Sequence, residues 1–257
     1  MMEMKAKIDA ICAFIKQKVE KAGADGVAIG VSGGLDSAVT AALCCKALGK
    51  ENVYALIMPE KETTPEEVLK HAREVAEMFS GRIREVDFTP IYKSYSERVP
   101  DYADGAKIPN GNLRARIRMC MLYYYANKCG LLVAGTGDKS EIMLGYFTKY
   151  GDGGVDFLPI GGLFKTEVRE VGKMLGVPAH ILEKKPSPNL WAGQTAEGEI
   201  GADYSTVDAL LRAFASGATA EDAAVKLKIK GEVAKKIKSM TEASAHKRAM
   251  PEICELK

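Results

Sequence analysis

Residues 30–37 read Gly30-Val31-Ser32-Gly33-Gly34-Leu35-Asp36-Ser37, a set of residue types suited to holding phosphate. Glycines let the chain turn tightly and bring main-chain amides close to a ligand. Ser32 and Ser37 add hydroxyl donors. Asp36 is out of place in an anion cradle unless a cation joins it, and Mg2+ is the hard, oxygen-seeking cation that accompanies phosphates. The kinase-type loop G-x-x-x-x-G-K-[ST] carries a lysine; here Leu35-Asp36 occupies the place of that lysine. The plainer alternative is a serine- and glycine-rich turn that holds nothing.

Three further stretches carry candidate chemistry. Gly135-Thr136-Gly137-Asp138-Lys139-Ser140-Glu141 is a second glycine-containing turn. Thr136 and Glu141 there could face the same crevice as Asp36, and a Glu141–Asp36 pair suits a hard cation with phosphate and water ligands. The same residues read equally well as a capping box, Asp138 with Glu141 three positions on. Lys149-Tyr150-Gly151-Asp152-Gly153-Gly154-Val155-Asp156 is a strong turn signal, with an adjacent cation and aromatic as its only hint of more. Lys165 opens a helix expected over Thr166–Leu175, where a cation opposes the helix dipole and can instead meet a phosphate.

Basic residues supply the remaining candidates. From Asn112 to Asn127, the residues Leu113, Ile117, Cys120, Met121 and Tyr124 form one apolar stripe. Arg114 and Arg116 flank it on opposite sides and Arg118 points further out. Such arginines can lay their stems on apolar surface and present the guanidinium to a phosphate or carboxylate. A solvated basic helix is the plainer reading, and spacing does not choose between Arg114 and Arg116. Between Lys226 and Arg248 basic residues outnumber acidic ones eight to two. This is a solvated helix face, or a basic edge for an anionic dinucleotide at a dimer interface; the lack of aromatics argues against RNA. His71, His180 and His246 have no metal-ligand spacing, and the first two read as structural.

The elements that must position these groups follow from periodicity. Ile8, Ile11, Ile15 and Val19 recur at helical spacing, and Gly23 can end that helix. Val27–Val31, Val53–Met58, Arg82–Asp87 and Leu131–Ala134 read as strands, with a helix over Ala38–Leu48 after the first. Another helix is expected to open at Thr64-Pro65-Glu66-Glu67, as N-cap, proline and capping-box glutamate, and to run to Phe79. Alternating β and α segments imply an α/β fold, a doubly wound parallel sheet with flanking helices. From Tyr204 onward helical patterns dominate. The stretches Val99–Gly111 and Lys184–Glu199 are long enough as loops to serve as lids or binding loops. A single domain over 1–257 is expected, with its α/β core at about 20–180 and a helical section at about 200–257.

Composition excludes other classes. With 257 residues, 47% of them hydrophobic, and a net charge of +2, neither a nucleic-acid wrapper nor a membrane protein is indicated. The charged, amphipathic Met1–Lys18 lacks the apolar core of a signal peptide, so a soluble, cytoplasmic protein is expected. The six cysteines form no C-x-x-C pair and read as free thiols.

The Ser-Gly-Gly-x-Asp-Ser order resembles the pyrophosphate-binding loop of the ATP pyrophosphatase superfamily, whose adenine nucleotide alpha hydrolase-like members cleave ATP between the α and β phosphates. Together with Arg-Ala-Arg-Ile-Arg-Met, Gly-Thr-Gly-Asp-Lys-Ser-Glu, Thr-Lys-Tyr-Gly-Asp-Gly-Gly-Val-Asp, Lys165-Thr166, Lys-Pro-Ser-Pro, Gly-Gln-Thr and His-Lys-Arg, most of the chain resembles the ammonia-dependent NAD synthetases. Many members of that family carry Asn where this chain has Asp138, and Asp-Glu where it has Ala196-Glu197. The resemblance implies amidation of deamido-NAD to NAD through an acyl adenylate, with release of AMP and pyrophosphate. It places ATP on Gly30, Val31, Ser32, Gly33, Gly34, Leu35, Asp36 and Ser37, with Thr136, Lys165 and Ser187. It places Mg2+ on Asp36 and Glu141, and deamido-NAD on Arg116, Lys149, Asp156, His246 and Lys247. Asp36, Lys165 and Asp152 become the candidate catalytic residues, Asp152 at the nicotinic-acid end or near ammonia. A homodimer is implied, with no nucleic-acid or membrane partner. The 29 residues before Gly30 are too few for a glutamine-hydrolysing domain, so free ammonia or a separate protein is the expected nitrogen source. The rivals are another enzyme with this loop, such as a GMP-synthetase-type amidotransferase subunit or a tRNA thiolase, and a non-catalytic nucleotide sensor.

Overall fold

The expected strand segments become four parallel strands, β1 (Val27–Gly30), β2 (Val53–Ile57), β3 (Arg82–Glu85) and β4 (Leu132–Val133), in a computed structural model that describes residues 2–61, 63–187, 191 and 193–255. The spatial order is β3-β2-β1-β4. Val27 is in register with Val53 on one side and Leu132 on the other, and Tyr54 with Arg82. A parallel bridge, Ala134 to Phe157, extends the sheet past β4. β1 and β2 read as continuous apolar runs because both their faces are covered. β3 is exposed along its length and forms the edge.

Successive residues of a strand face opposite sides, and two apolar clusters follow from that alternation. Val27, Ile29, Val53, Ala55 and Ile57 pack with Ile8, Ile15, Val39, Leu43, Leu69, Val75, Val168 and Val171. This layer belongs to the helices Met2–Ala22, Leu35–Leu48, Glu66–Phe79 and Lys165–Met174. Ala28, Tyr54, Leu56 and Val133 face Phe88, Tyr92, Ile117 and Ala126, from the helices Thr89–Ser96 and Lys107–Lys128 and their approach. Each fully buried Leu or Ile here contributes about 1.5–3 kcal/mol. A third cluster joins Leu144 and Phe164 to the C-terminal helices Tyr204–Ala215, Ala220–Leu227 and Gly231–Ala243. The α/β sheet with flanking helices is therefore as expected.

Three local expectations are corrected. The Val99–Gly111 stretch is not all loop: a helix begins at Lys107. The capping box at Thr64 does not form, because the Thr64 hydroxyl accepts from the Glu60 amide at 3.1 Å and Pro65 stands at the N-cap. The Lys184–Glu199 stretch contains the start of a short helix, Ala196–Ile200, capped by Thr195; its residues 188–190 and 192, with Pro188 of the Lys-Pro-Ser-Pro motif, lie outside the described residues. Among the described residues no helix is long and apolar enough to cross a membrane.

Strand order reverses between β1 and β4: the chain runs outward from β1 to β3, then returns to β1's other side. In open α/β sheets the crevice beyond the strand C-termini at such a reversal is where ligands bind. The two glycine-containing turns leave β1 and β4 at that point.

Candidate active site at the strand reversal

The Gly30–Ser37 loop has a backbone shape that could cradle an anion. Gly33 has φ +71°, and a Cβ there would fall 2.5 Å from the Val68 carbonyl oxygen, so no side chain fits. The helix Leu35–Leu48 starts after Gly34 with no side-chain cap among the described residues, which leaves its first amides for a ligand. Ser37 corrects the expectation of a free donor: its buried hydroxyl donates to the Gly34 carbonyl at 3.0 Å and accepts from the Ser32 amide at 3.2 Å. It braces the loop. Ser32 is exposed, its hydroxyl 3.2 Å from that of Ser37. Lys184 donates to the Gly33 carbonyl at 3.2 Å from behind, and Ser187 donates to the Gln194 carbonyl at 2.6 Å.

Opposite the loop, the two readings of the second turn are both true. Asp138 caps the helix Lys139–Leu144, its Oδ1 accepting from the Glu141 amide at 2.8 Å, while Glu141 Oε2 accepts from the Asp138 amide at 3.2 Å. Glu141 Oε1 remains turned to the crevice and accepts from Lys165 Nζ at 2.9 Å. Lys165, 2% exposed, also donates to Asp36 Oδ2 at 2.8 Å and stands 2.8 Å from Asp138 Oδ2. Thr136 is half-buried at the end of β4. Sequence reasoning left Asp138 as a cap only; that it lies in the same heptad as Thr136 and Glu141 was the available signal.

Burial alone would lower the lysine's pKa, but Asp36, Glu141 and Asp138 outweigh it and hold the ammonium well above the ordinary lysine value. Burial pushes Asp138 up to about 6 against the pull of Lys165, and pushes Glu141 well above the usual carboxylate range, with Asp138 and Asp36 adding to the rise. Were all three carboxylates ionised, one ammonium would leave two negative charges uncompensated, a surplus that a bound cation would balance. Among the described residues, Asp36 Oδ1 is buried without a hydrogen bond, whereas Asp138 Oδ2 keeps the Lys165 ammonium at 2.8 Å. Oxygens of Asp36, Asp138 and Glu141 lie within 4.8 Å of one another. An all-oxygen donor set with an unpartnered carboxylate oxygen fits a hard divalent cation.

Four of the expected dinucleotide residues, Arg116, Lys149, His246 and Lys247, come together from three segments, while Asp156 bonds elsewhere. Arg116, exposed on the helix Lys107–Lys128, donates to the Lys149 carbonyl at 3.2 Å through Nη2. Lys149 donates to the His246 carbonyl at 3.0 Å. Lys247 donates to the Gly145 and Phe147 carbonyls, both at 2.8 Å; burial pulls its pKa down. Tyr150, at φ 60°, holds the left-handed conformation that side chains rarely adopt, which turns Lys149–Asp156 sharply back. Asp152 Oδ1 accepts from the Thr148 amide at 2.8 Å, and burial raises its pKa. Asp156 is tied to the sheet, accepting from the Val133 amide at 2.7 Å and the Tyr123 hydroxyl at 3.0 Å.

Arg114 and Arg118 resolve the ambiguity on that helix. Arg114 pairs bidentately with buried Glu60 at 2.6 and 3.0 Å over the Tyr92 ring. Arg118 does not point outward, as expected; it lies on the Phe88 ring and donates to the Met58 carbonyl at 3.1 Å, and burial pushes its pKa down to about 10. Arg116 is the exposed member of the three. The His71 and His180 rings are tilted by 41° with centres 4.6 Å apart, and His71 backs the loop at Gly33.

Comparison with known proteins agrees with this geometry. The sequence model of the NAD synthase family matches residues 7–251. The NH(3)-dependent NAD(+) synthetase of Archaeoglobus fulgidus is 45% identical over 256 residues, covering 100% of this chain and 99% of its own. Among solved structures, an NMN synthetase from Francisella tularensis superposes with a TM-score of 0.87 at 32% identity, over 98% of this chain and 99% of that one. An NH3-dependent NAD synthetase from Campylobacter jejuni superposes with a TM-score of 0.81 at 30% identity, over 98% and 99%. With a family match over residues 7–251 and a full-length relative at 45% identity, the chain belongs to the NAD synthase family.

Proposed function

We propose that the crevice makes NAD from deamido-NAD, ATP and free ammonia by way of an acyl adenylate. The observation that carries this is the Lys165 ammonium, buried among Asp36, Asp138 and Glu141 beside an uncapped helix N-terminus. Free helix amides and one fixed ammonium next to hard oxygen ligands are what cleavage of a triphosphate requires. Asp36 and Glu141, with Asp138 alongside, would hold Mg2+, which would supply charge neutralisation at the departing phosphates.

The residues of the chain do the rest. The Gly30–Ser37 amides hold the β and γ phosphates in line, with Thr136 and Ser187 on the nucleotide. Arg116, Lys149, His246 and Lys247 seat the deamidated dinucleotide, an anion, with Asp156 beside them. An oxygen of the nicotinic acid carboxylate attacks the α phosphorus, the bond to the bridging oxygen breaks, and Lys165 meets the charge that builds on pyrophosphate. Ammonia then attacks the acyl carbon, the bond to AMP breaks, and Asp152, its pKa raised by burial, is placed to take the proton that nitrogen loses. Much of the acceleration comes from aligning two large anions, for which no covalent nucleophile is needed.

The active form we propose is a homodimer. The helix Lys107–Lys128, which carries Arg116, leaves Ile108 and Tyr124 exposed, apolar surface that supports pairing through this helix; light scattering tests it. Six cysteines free of disulfides fit a reducing, cytoplasmic setting. The chemistry is tested by incubating the protein with Mg·ATP and ammonium and, in turn, deamido-NAD, nicotinic acid mononucleotide, xanthylate or tRNA, while AMP and pyrophosphate are measured. AMP, pyrophosphate and NAD in equal amounts with deamido-NAD are expected. Release of ADP, AMP formation only with xanthylate or tRNA, or no pyrophosphate with any acceptor overturns the reading; a preference for the mononucleotide would change the substrate and keep the mechanism.

A further inference from the structure

What fixes Lys165 lies in the C-terminal helical section. The helix Tyr204–Ala215 carries Tyr204 and Asp208 one turn apart, and so on one face. Asp208 interrupts an otherwise apolar run and is 3% exposed. Its carboxylate accepts from the Ser140 hydroxyl at 2.5 Å, the Thr166 amide at 2.9 Å and the Thr166 hydroxyl at 2.8 Å. The Ser140 hydroxyl in turn accepts from the Lys165 amide at 3.0 Å. One carboxylate thus joins the first turns of the two helices that bear Glu141 and Lys165. Tyr204 meets the far end of the same lysine: its ring centre is 5.0 Å from Lys165 Nζ. Its buried hydroxyl has no hydrogen-bond partner among the described residues, so the ring is the part in use.

We infer that Tyr204 and Asp208 are positioning residues for the pyrophosphate-releasing step, acting on it through Lys165. Asp208 sets where the lysine's backbone begins and Tyr204 sets where its ammonium ends. A lysine is a mobile point charge on four methylenes, and a misplacement of about 1 Å at a reacting centre costs on the order of 100-fold in rate. The aromatic face attracts the cation without taking a hydrogen-bond donor that the phosphates need. This inference rests on the reading of Lys165 as the group that meets the leaving phosphates.

The test uses the full chain carrying Tyr204→Leu, Tyr204→Phe or Asp208→Asn, each alone and with Lys165→Met. Affinity for Mg2+ with α,β-methylene-ATP, which is not cleaved, is measured by calorimetry, alongside kcat, KM and the unfolding midpoint. Tyr204→Leu and Asp208→Asn are expected to lower kcat roughly 10- to 100-fold and to weaken analogue binding, with KM for deamido-NAD within about twofold. Tyr204→Phe should recover most of what Tyr204→Leu loses. In the Lys165→Met background the further losses of affinity should vanish, as they must for groups acting through one another. Losses that persist undiminished there, a Phe variant as damaged as the Leu variant, or a fall in midpoint with kcat and affinity intact would each overturn the inference. Should Asp208→Asn or Lys165→Met not fold, Ser140→Ala and the Phe-against-Leu comparison decide it. A wild type that binds the analogue but makes no NAD would reject the proposed reaction alone, since the affinity cycle needs no turnover.

Discussion

The two ends of the crevice hold their charges differently. At the phosphate end charge meets charge: one ammonium is shared by three carboxylates, at 2.8, 2.8 and 2.9 Å. At the dinucleotide end cations rest on main-chain carbonyls: Arg116 on Lys149, Lys149 on His246, Lys247 on Gly145 and Phe147. A carbonyl orients a cation without neutralising it, so Arg116, Lys149 and Lys247 keep charge that the proposed anionic dinucleotide would meet. A carboxylate cluster stores opposing charge in little space, and any change of one member disturbs all of them. The first region is expected to trade stability and catalysis together, the second to lose binding alone.

Breaking the phosphate end gives the largest effect. Lys165→Met leaves three buried carboxylates without their ammonium, and loss of one partner from a buried pair costs about 3–5 kcal/mol. Denaturant unfolding at neutral pH should show that loss, and turnover should fall at least about 100-fold. A variant as stable as wild type would mean that the cluster is not ionised. Asp36→Asn separates the two effects. It keeps the side chain's shape and one hydrogen bond from Lys165, so the fold should survive. Turnover should nonetheless collapse, because the cation site loses a charged oxygen; normal activity at ordinary Mg2+ concentrations would refute the metal role.

The sequence reveals the first region far better than what supports it. Apolar runs at Val27–Val31 and Leu131–Ala134 coincide with glycine turns, so period and punctuation agree and both crevice loops can be read locally. Asp208 cannot be found that way. Its partners stand 68 and 42 positions earlier in the chain, and only its place inside the apolar Val207–Leu211 run hints that it is buried and bonded. Arg118 shows the same limit. Helical spacing gives its angle on the helix, but Phe88 and Met58, which take it in, come from distant segments of the chain. At Thr64 the local rule loses to a nearer competitor, the Glu60 amide. Motif chemistry is local, whereas the packing that aims a side chain is long-range.

Arg116→Ala sharpens the contrast from the dinucleotide side. The side chain is exposed and holds only a carbonyl, so unfolding should shift by no more than about 0.5 kcal/mol. Losing a charge-assisted contact to an anion costs about 1.5–3 kcal/mol, so KM for deamido-NAD should rise roughly 10- to 100-fold while ATP affinity holds. Equal losses for both substrates would mean that the two ends are not separable.

The smallest expected effect lies behind the phosphate end, at Glu167. This carboxylate accepts from the Phe164 amide at 2.8 Å at the head of Lys165's helix, pairs with Lys7 of the first helix at 2.8 Å, and with Arg212 of the C-terminal section at 3.2 Å. Burial pushes its pKa up, but those three partners overcome burial and hold it below the ordinary value. A carboxylate depressed in the folded state adds stability above its unfolded pKa, near 4.5, and loses it as pH falls through the lower folded value. Glu167→Gln keeps an acceptor oxygen for Phe164 and gives up both charge pairs, so it should cost about 1 kcal/mol at pH 7. Unfolding curves of wild type and variant should converge as pH drops below about 4. If the gap instead stays constant down to pH 3, Glu167 acts through shape, and charge matching is confined to the crevice itself.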